Sequence, residues 1–200
     1  MNSYSQHQED TYILHFCFVH KIDFPTSVIE IGACDGINLS NSRAYCEIGW
    51  HGLLVEPQPE YYKRLEVLYE NIKKVKTFNV AISDLTGKVK FDINKKKPDH
   101  SCISDEGVNI SSLSYPDLLQ LAKWDKPIGV LSIDAEGYDT EILNQVLRTD
   151  NLPYFIIIES NDTTERREQI ELFNDKYTII NVLSVNMVLC RSDLIENLAT

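Results

Sequence analysis

The sequence predicts one α/β domain: a mostly parallel, doubly wound sheet with helices on both faces, closed by a C-terminal antiparallel hairpin. Three observations carry that reading. Short apolar, β-branched runs alternate with helical patterns over short connections, as strand–helix–strand units do. The first run, Val28 to Ile31, opens directly into a glycine turn, Gly32-Ala-Cys-Asp-Gly36. The last two β-rich runs are separated only by Ser-Val-Asn, too little chain for a crossover helix. At 43% hydrophobic and 24% charged content, 200 residues suit a single domain over 1–200, with a leading segment and helix over 1–22 and the sheet and its helices over 27–191.

The elements follow in order. Gln8 to Lys21 has apolar residues at helical spacing and reads as an amphipathic leading helix. The polar segment before it, Tyr4-Ser-Gln-His-Gln-Glu-Asp10, fits a frayed helix start and a site role equally well. Val28 to Ile31 is apolar without alternation, as a central strand covered on both faces should be. Beyond the glycine turn, a helix is expected over Asn41 to Ile48, stopping at Gly49; its N-terminus would offer unpaired N–H groups. Gly52 to Glu56 is the second strand, ended by Pro57, and Pro59 opens a helix to about Asn71. Val75 to Val80 is the third strand, with Ala81-Ile-Ser-Asp84 as its carboxyl-end loop.

Lys88 to Ile93 alternates apolar and polar and reads as a half-exposed strand, whereas Lys95 to Ser112 lacks periodicity and reads as a long loop. A short helix follows over Tyr115 to Lys123, then a buried strand over Ile128 to Ile133 that ends in Asp134-Ala-Glu-Gly-Tyr138. Asp139 to Leu147 is helical, and Tyr154 to Ile158 is the most apolar strand, ending in Glu159-Ser-Asn161. A polar helix over Thr163 to Asn174 leads to the hairpin strands Tyr177 to Leu183 and Met187 to Cys190.

Charge and cysteine usage narrow the partners. A net charge of -11 and a pI near 4.9 oppose binding to a nucleic-acid backbone, which needs a basic face to release counterions. A neutral or cationic small molecule fits better, and the runs Lys73-Lys74 and Lys95-Lys96-Lys97 read as solvated faces. The five cysteines are odd in number and contain no C-x-x-C pair, which suggests a reducing compartment without a disulfide framework. With no basic leader and no apolar run near the roughly 18 residues of a membrane span, the expectation is a cytoplasmic protein.

Doubly wound sheets bind ligands outside the carboxyl ends of their strands. That rule gathers Glu30 to Gly36, Glu56, Ser83, Asp84, Asp134 to Gly137 and Glu159 to Asn161 on one rim. Crowded carboxylates are costly without a cation or hydrogen-bond donors, so a donating or positively charged ligand is expected there. Glu56 lies about 20 residues beyond the turn, where nucleotide-binding folds place an acid against both ribose hydroxyls. A dinucleotide wants G-x-G-x-x-G and no anion beside its pyrophosphate; here the middle glycine is missing and Asp35 occupies the turn. S-adenosylmethionine carries a sulfonium, an ammonium, a ribose and no phosphate, and an acidic rim suits it better.

These residues resemble the ordered motifs of FkbM-type methyltransferases. The resemblance rests on Tyr4 to Asp10, Val28 to Asn41, Gly49 to Pro57, Val80 to Asp84, Leu131 to Gly137 and Ile157 to Glu159, and spans about residues 4 to 191. It implies a Rossmann-like class I methyltransferase domain with a seven-stranded sheet, S-adenosylmethionine as donor, and O-methylation of hydroxyls such as those of glycans. By position, Gly32, Asp35 and Gly36 would surround the methionine moiety and Glu56 the ribose, with Ser83 and Asp84 at the adenine edge. Ser5, Gln6 and Asn41 would close over the amino-acid end. Glu30 and Cys34 stand where the family more often carries Asp and Asn, and the Lys-rich loop after Ile93 is a further departure.

Alcohols are poor nucleophiles at neutral pH, so a base or a metal is expected beside the donor. Asp134 and Glu136 are the first candidates to deprotonate or orient a small-molecule or glycan acceptor. Glu159 and Asn161, with Asp134, could instead hold a hard divalent cation such as Mg²⁺. His51 is another candidate base, Tyr138 a candidate wall of the acceptor pocket, and Cys34 a packing residue. Two alternatives stay open: an NAD- or nucleotide-sugar-linked oxidoreductase, and a non-catalytic cofactor-binding domain.

Overall fold

The computed structural model describes residues 2–94, 101–160 and 162–196. The chain opens with α1 (Glu9–His20), β1 (Ser27–Ile31), α2 (Arg43–Glu47), β2 (His51–Val55), α3 (Pro59–Tyr69) and β3 (Val75–Phe78). An excursion follows through β4 (Ala81–Ile82), β5 (Gly87–Asp92), β6 (Cys102–Ile103) and β7 (Val108–Leu113). The rest is α4 (Tyr115–Leu121), β8 (Val130–Ile133), α5 (Asp139–Leu147), β9 (Phe155–Glu159), α6 (Thr163–Phe173), β10 (Tyr177–Leu183), β11 (Asn186–Arg191) and α7 (Ser192–Glu196).

Every residue of β1 is buried, which requires neighbours at both edges and cover on both faces. The main sheet supplies both. It has seven strands in the order β10-β11-β9-β8-β1-β2-β3, parallel from β9 to β3 and antiparallel through β11 and β10. The two-residue alternation of a strand sorts its side chains into two cores. Ile29, Ile31, Leu53, Val55, Leu131, Ile133, Ile156 and Ile158 face Tyr115 and Leu118 of α4, Ile142 and Leu143 of α5 and Phe173 of α6. Val28, Leu54, Val130, Phe155 and Ile157 face Ile13 and Cys17 of α1, Tyr45 of α2 and Leu65 of α3. Each such large side chain, fully buried, contributes roughly 1.5–3 kcal/mol, which fixes the plane on which the strand-end loops are built.

The long loop expected over Lys95 to Ser112 is a correction. Within it β6 and β7 join β4 and β5 in a second sheet of order β4-β7-β5-β6. The reading failed because β7 is largely exposed and its one buried side chain is Ser112, so the short alternation from Val108 ends on a polar residue. Residues 95–100, including Lys95-Lys96-Lys97, lie outside the described residues. The helix expected over Asn41 to Ile48 is present but shorter: α2 is five residues long, Arg43–Glu47. Residues 32–42 form an irregular loop because their N–H groups are claimed by Glu30, Asp35 and Glu56 rather than by a helix. The hairpin turn is Ser184-Val185, one residue tighter than expected, with Ser184 at φ 59, as a two-residue turn demands. Among the described residues, no helix is long and apolar enough to cross a membrane.

Candidate active site

Gly32 marks where the strand ends meet. Its φ is 85°, and a Cβ there would lie 1.9 Å from the carbonyl oxygen of Asp134, so only glycine lets the loops after β1 and β8 touch. Around that contact opens a cavity of about 390 Å³, the size of an ordinary small-molecule site. The loops after β1, β2, β3, β8 and β9 line it, together with Gln6 from the N-terminal segment and Phe91, Ser101 and Ile103 from the second sheet.

The end of the cavity beneath β1 and β2 is built on three carboxylates. Glu30 points from β1 into the α1–α3 layer and accepts hydrogen bonds from Asn41 N (2.6 Å), Ser42 Oγ (2.5 Å) and Ser40 Oγ (3.0 Å). Burial nonetheless raises its pKa. Asp35 accepts from the N–H groups of Ile37 (2.9 Å) and Asn38 (3.0 Å) and from Asn38 Nδ2 (3.0 Å). Its burial acts upward, but those bonds and Arg64 hold its pKa below the ordinary aspartate value. Glu56, just past β2, accepts from Cys34 N (2.9 Å) and Gln58 N (2.7 Å), and burial raises it to about 7. The Cys34 thiol is pushed to about 12 by burial and by Glu56, which makes it a packing residue rather than a nucleophile.

Pro57, Tyr61, Val80, Ile82, Phe91 and Ile103 give the cavity its apolar and aromatic lining. Asp134, Glu136 and Glu159 also line it, each offering one carboxylate oxygen within 4.8 Å of the others. Asp134 opens onto the cavity, yet the protein walls around it, followed by Glu159, Asp139, Glu136 and Glu30, push its pKa well above the ordinary value. Asp139, at the start of α5, fixes this loop by accepting from the N–H groups of Ala135 (2.9 Å) and Gly137 (3.1 Å). Glu136 sits in a left-handed conformation at φ 49, as do Cys34 (φ 50) and Leu39 (φ 56), so three strained residues border one cavity.

Of the sequence-predicted residues, the cavity brings together Gln6, Glu30, Gly32, Asp35, Glu56, Asp134, Glu136 and Glu159. It does not bring in Gly36, whose absent side chain makes room for Leu65 and Tyr69 of α3. Asn41 lies behind the wall, donating to Ser132 Oγ at 3.0 Å. Ser83 is buried against Ser112 (2.7 Å) beneath the second sheet, and Asp84 is exposed on the side of Tyr138. Ser5 pairs with Leu39 and donates to Asp10 rather than lining the cavity. His51 begins β2, at the end of the strand opposite the cavity, where no base role is available to it. Asn161 falls outside the described residues. Sequence reasoning missed Tyr61, Phe91, Ser101 and Ile103; the buried Phe91 could have been found as the inward member of the Lys88-Val-Lys-Phe alternation.

Among the described lining residues there are six carboxylates and no lysine, arginine or histidine. A pyrophosphate would find no cation among these described residues. Solved methyltransferase structures share the fold. The METTL16 methyltransferase domain matches with a TM-score of 0.55 at 12% identity, over 92% of this chain and 66% of that one. A provisionally named O-methyltransferase from Klebsiella pneumoniae matches with a TM-score of 0.51 at 13% identity, over 95% and 81%. Monomeric WbdD matches with a TM-score of 0.50 at 11% identity, over 94% of this chain and 41% of that one. Comparison with curated protein sequences gives no significant match. The fold is that of the class I S-adenosylmethionine-dependent methyltransferases. The model of the methyltransferase FkbM domain matches residues 30–184, and the chain belongs to that family.

Proposed function

We propose that this protein methylates a hydroxyl of a neutral acceptor, a sugar in a glycan or a related small molecule, in the cytoplasm. One observation carries the reading: in the lining of the cavity, Asp134, Glu136 and Glu159 each bring a carboxylate oxygen within 4.8 Å of the others. S-adenosylmethionine supplies an electrophilic methyl group on a sulfonium; what an alcohol lacks is a proton acceptor. Asp134, held above the ordinary carboxylate range by burial and by its acidic neighbours, takes the proton as the acceptor oxygen bonds to the methyl carbon. Glu136 and Glu159 orient the hydroxyl through its sugar ring. Glu56 binds the ribose hydroxyls, the base lies against Tyr61 and Phe91, and Glu30 and Asp35 shape the loop on which the methionine portion rests. Holding donor and acceptor in line supplies much of the rate, since effective molarities of roughly 10⁵ M upward are available from positioning.

Charge supports the acceptor class. A net charge of -11 and the lack of cations among the described lining residues oppose a polyanionic acceptor such as RNA. The five free cysteines fit a reducing compartment. The same three oxygens are spaced for a divalent cation, but burial, followed by repulsion from the neighbouring acids, already accounts for the raised proton affinity of Asp134, and we assign them to proton transfer. The test is methyl transfer from S-adenosylmethionine to a panel of saccharides, read by mass, with and without EDTA. Methylated sugar at an undiminished rate in EDTA is expected. Loss of transfer in EDTA would move the three acids to a metal site, and transfer to RNA alone would overturn the acceptor class.

A further inference from the structure

A second cavity, of about 360 Å³, lies between α1 and the C-terminal hairpin, and no step of methyl transfer uses it. Gln8, Thr11, Tyr12 and His15 line it, at the three- and four-residue spacing that puts side chains on one face of a helix. Leu183 of β10 and His7 complete the lining. Its two walls are fixed to each other. The fully buried Glu9 accepts from His7 N (2.8 Å) and from Asn186 Nδ2 (2.7 Å), so one carboxylate ties the N-terminal segment to β11. Tyr12 Oη donates to the carbonyl of Ile180 (2.8 Å), which ties α1 to β10.

The chain before α1 is a strap gathered on Asp10, which is fully buried and accepts from Ser3 Oγ (2.6 Å), Ser5 Oγ (2.9 Å), Tyr4 N (3.0 Å) and Thr11 N (2.7 Å). Ser5 in turn forms a β-bridge with Leu39 at the wall of the methyl-transfer cavity. Gln6 lines that cavity and His7 lines the second one. Consecutive Cα atoms are about 3.8 Å apart, so a single thickness of strap divides the two.

The chemistry of the second cavity differs from that of the first. Its described lining offers two imidazoles, an amide, a hydroxyl, a phenol ring and a leucine. Among these, His7 Nε2 is buried and has no hydrogen-bond partner among the described residues, a costly state for a polar atom unless something else meets it. A hydroxyl both donates and accepts, so it satisfies Nε2 in either imidazole tautomer. The Tyr12 hydroxyl is committed to Ile180, which leaves its ring, with those of His7 and His15, as surface for C–H groups. Hydroxyls set on a ring rich in C–H groups are the chemistry of a sugar.

We propose that this groove is a second saccharide subsite: it holds the sugar next to the one being methylated, so that the acceptor is an oligosaccharide lying across the strap. His7 and Gln8 hydrogen-bond its hydroxyls, and Tyr12 and His15 pack against its ring. The proposal rests on the sugar reading given above and deepens it. Its test is methyl transfer to matched mono- and trisaccharides of glucose, galactose, mannose and rhamnose. For the accepted sugar, kcat/KM should be about tenfold higher for the trisaccharide than for the monosaccharide, through KM rather than kcat. His7→Ala and His15→Ala should each lower that ratio about tenfold. His15 is exposed, so His15→Ala decides the matter even where His7→Ala lowers the melting temperature. Equal losses on both acceptors, which leave the ratio intact, would make the residues structural and overturn the subsite, as would a wild-type protein indifferent to chain length. If no saccharide is methylated, the sugar reading itself falls, and imidazole NMR spectra of the protein titrated with the same trisaccharides decide the groove separately. A shift of the His7 ring signals supports a saccharide site, and none with any of the four overturns it.

Discussion

The two ends of the cavity treat their carboxylates in opposite ways. Beneath β1 and β2, Glu30, Asp35 and Glu56 each accept backbone N–H groups from the loops they shape. Beneath β8 and β9, Asp134 is walled in by protein and then ringed by other acids, and its proton affinity rises accordingly. Donors supplied by the chain make a carboxylate part of the scaffold. Acids gathered this closely leave a demand that an incoming hydroxyl or cation can meet. Asp139 shows that proximity alone is not the distinction: it lies beside Asp134, but it accepts N–H groups from Ala135 and Gly137 and holds the loop.

The largest test of this contrast is Asp134→Asn. Methyl transfer in a single turnover should fall by about 10² to 10⁴-fold while S-adenosylhomocysteine binding persists, because the amide keeps the shape and loses the proton acceptor. Retained transfer would erase the difference between the two ends.

Glu56 gives an intermediate effect with a sign that can be worked out. Its folded pKa of about 7 lies above the ordinary 4.5, so the unliganded protein loses stability as pH rises from about 4.5 through 7. Ribose hydroxyls donate to the ionised form, so affinity for S-adenosylhomocysteine should increase over the same approach to neutrality. Glu56→Gln should bind about tenfold more weakly and flatten both profiles, as followed by calorimetry and by melting temperature against pH. A pH-dependent affinity surviving in this variant would assign the titration elsewhere.

Ser83→Ala should have the smallest effect. Removing the hydroxyl that meets Ser112 and the carbonyl of Leu85 should cost about 1 kcal/mol of stability, read by denaturant midpoint, without changing affinity. A clear loss of affinity would return Ser83 to the adenine edge and extend the scaffold end of the cavity beyond β2.

Strand-end acids were legible because topology and spacing are one-dimensional signals: an apolar run, a turn, then an acid about 20 residues on locates Glu56 without knowledge of its partners. Ser83 illustrates the limit. It follows a strand as Glu56 does, but that strand belongs to the second sheet, whose pairing of β4 with β7 joins Ala81 to Ser112 across a stretch with no pattern of its own. Phe91, Ser101 and Ile103 enter the cavity through that same sheet, so the apolar wall was hidden with it. The strap was only half legible. Its polar residues stood out, but that Asp10 is the residue they all serve depends on contacts spread over residues 3–11 and on Leu39, which no local periodicity encodes.

The acidity of the described lining bears finally on how turnover ends. S-adenosylmethionine enters with a net positive charge, and loss of its methyl group turns the sulfonium into an uncharged thioether. The six carboxylates that favour the reactant therefore relax their hold in the same step that makes the product. Product inhibition should accordingly be weak, and weakest at low ionic strength, where the preference for the charged donor is greatest.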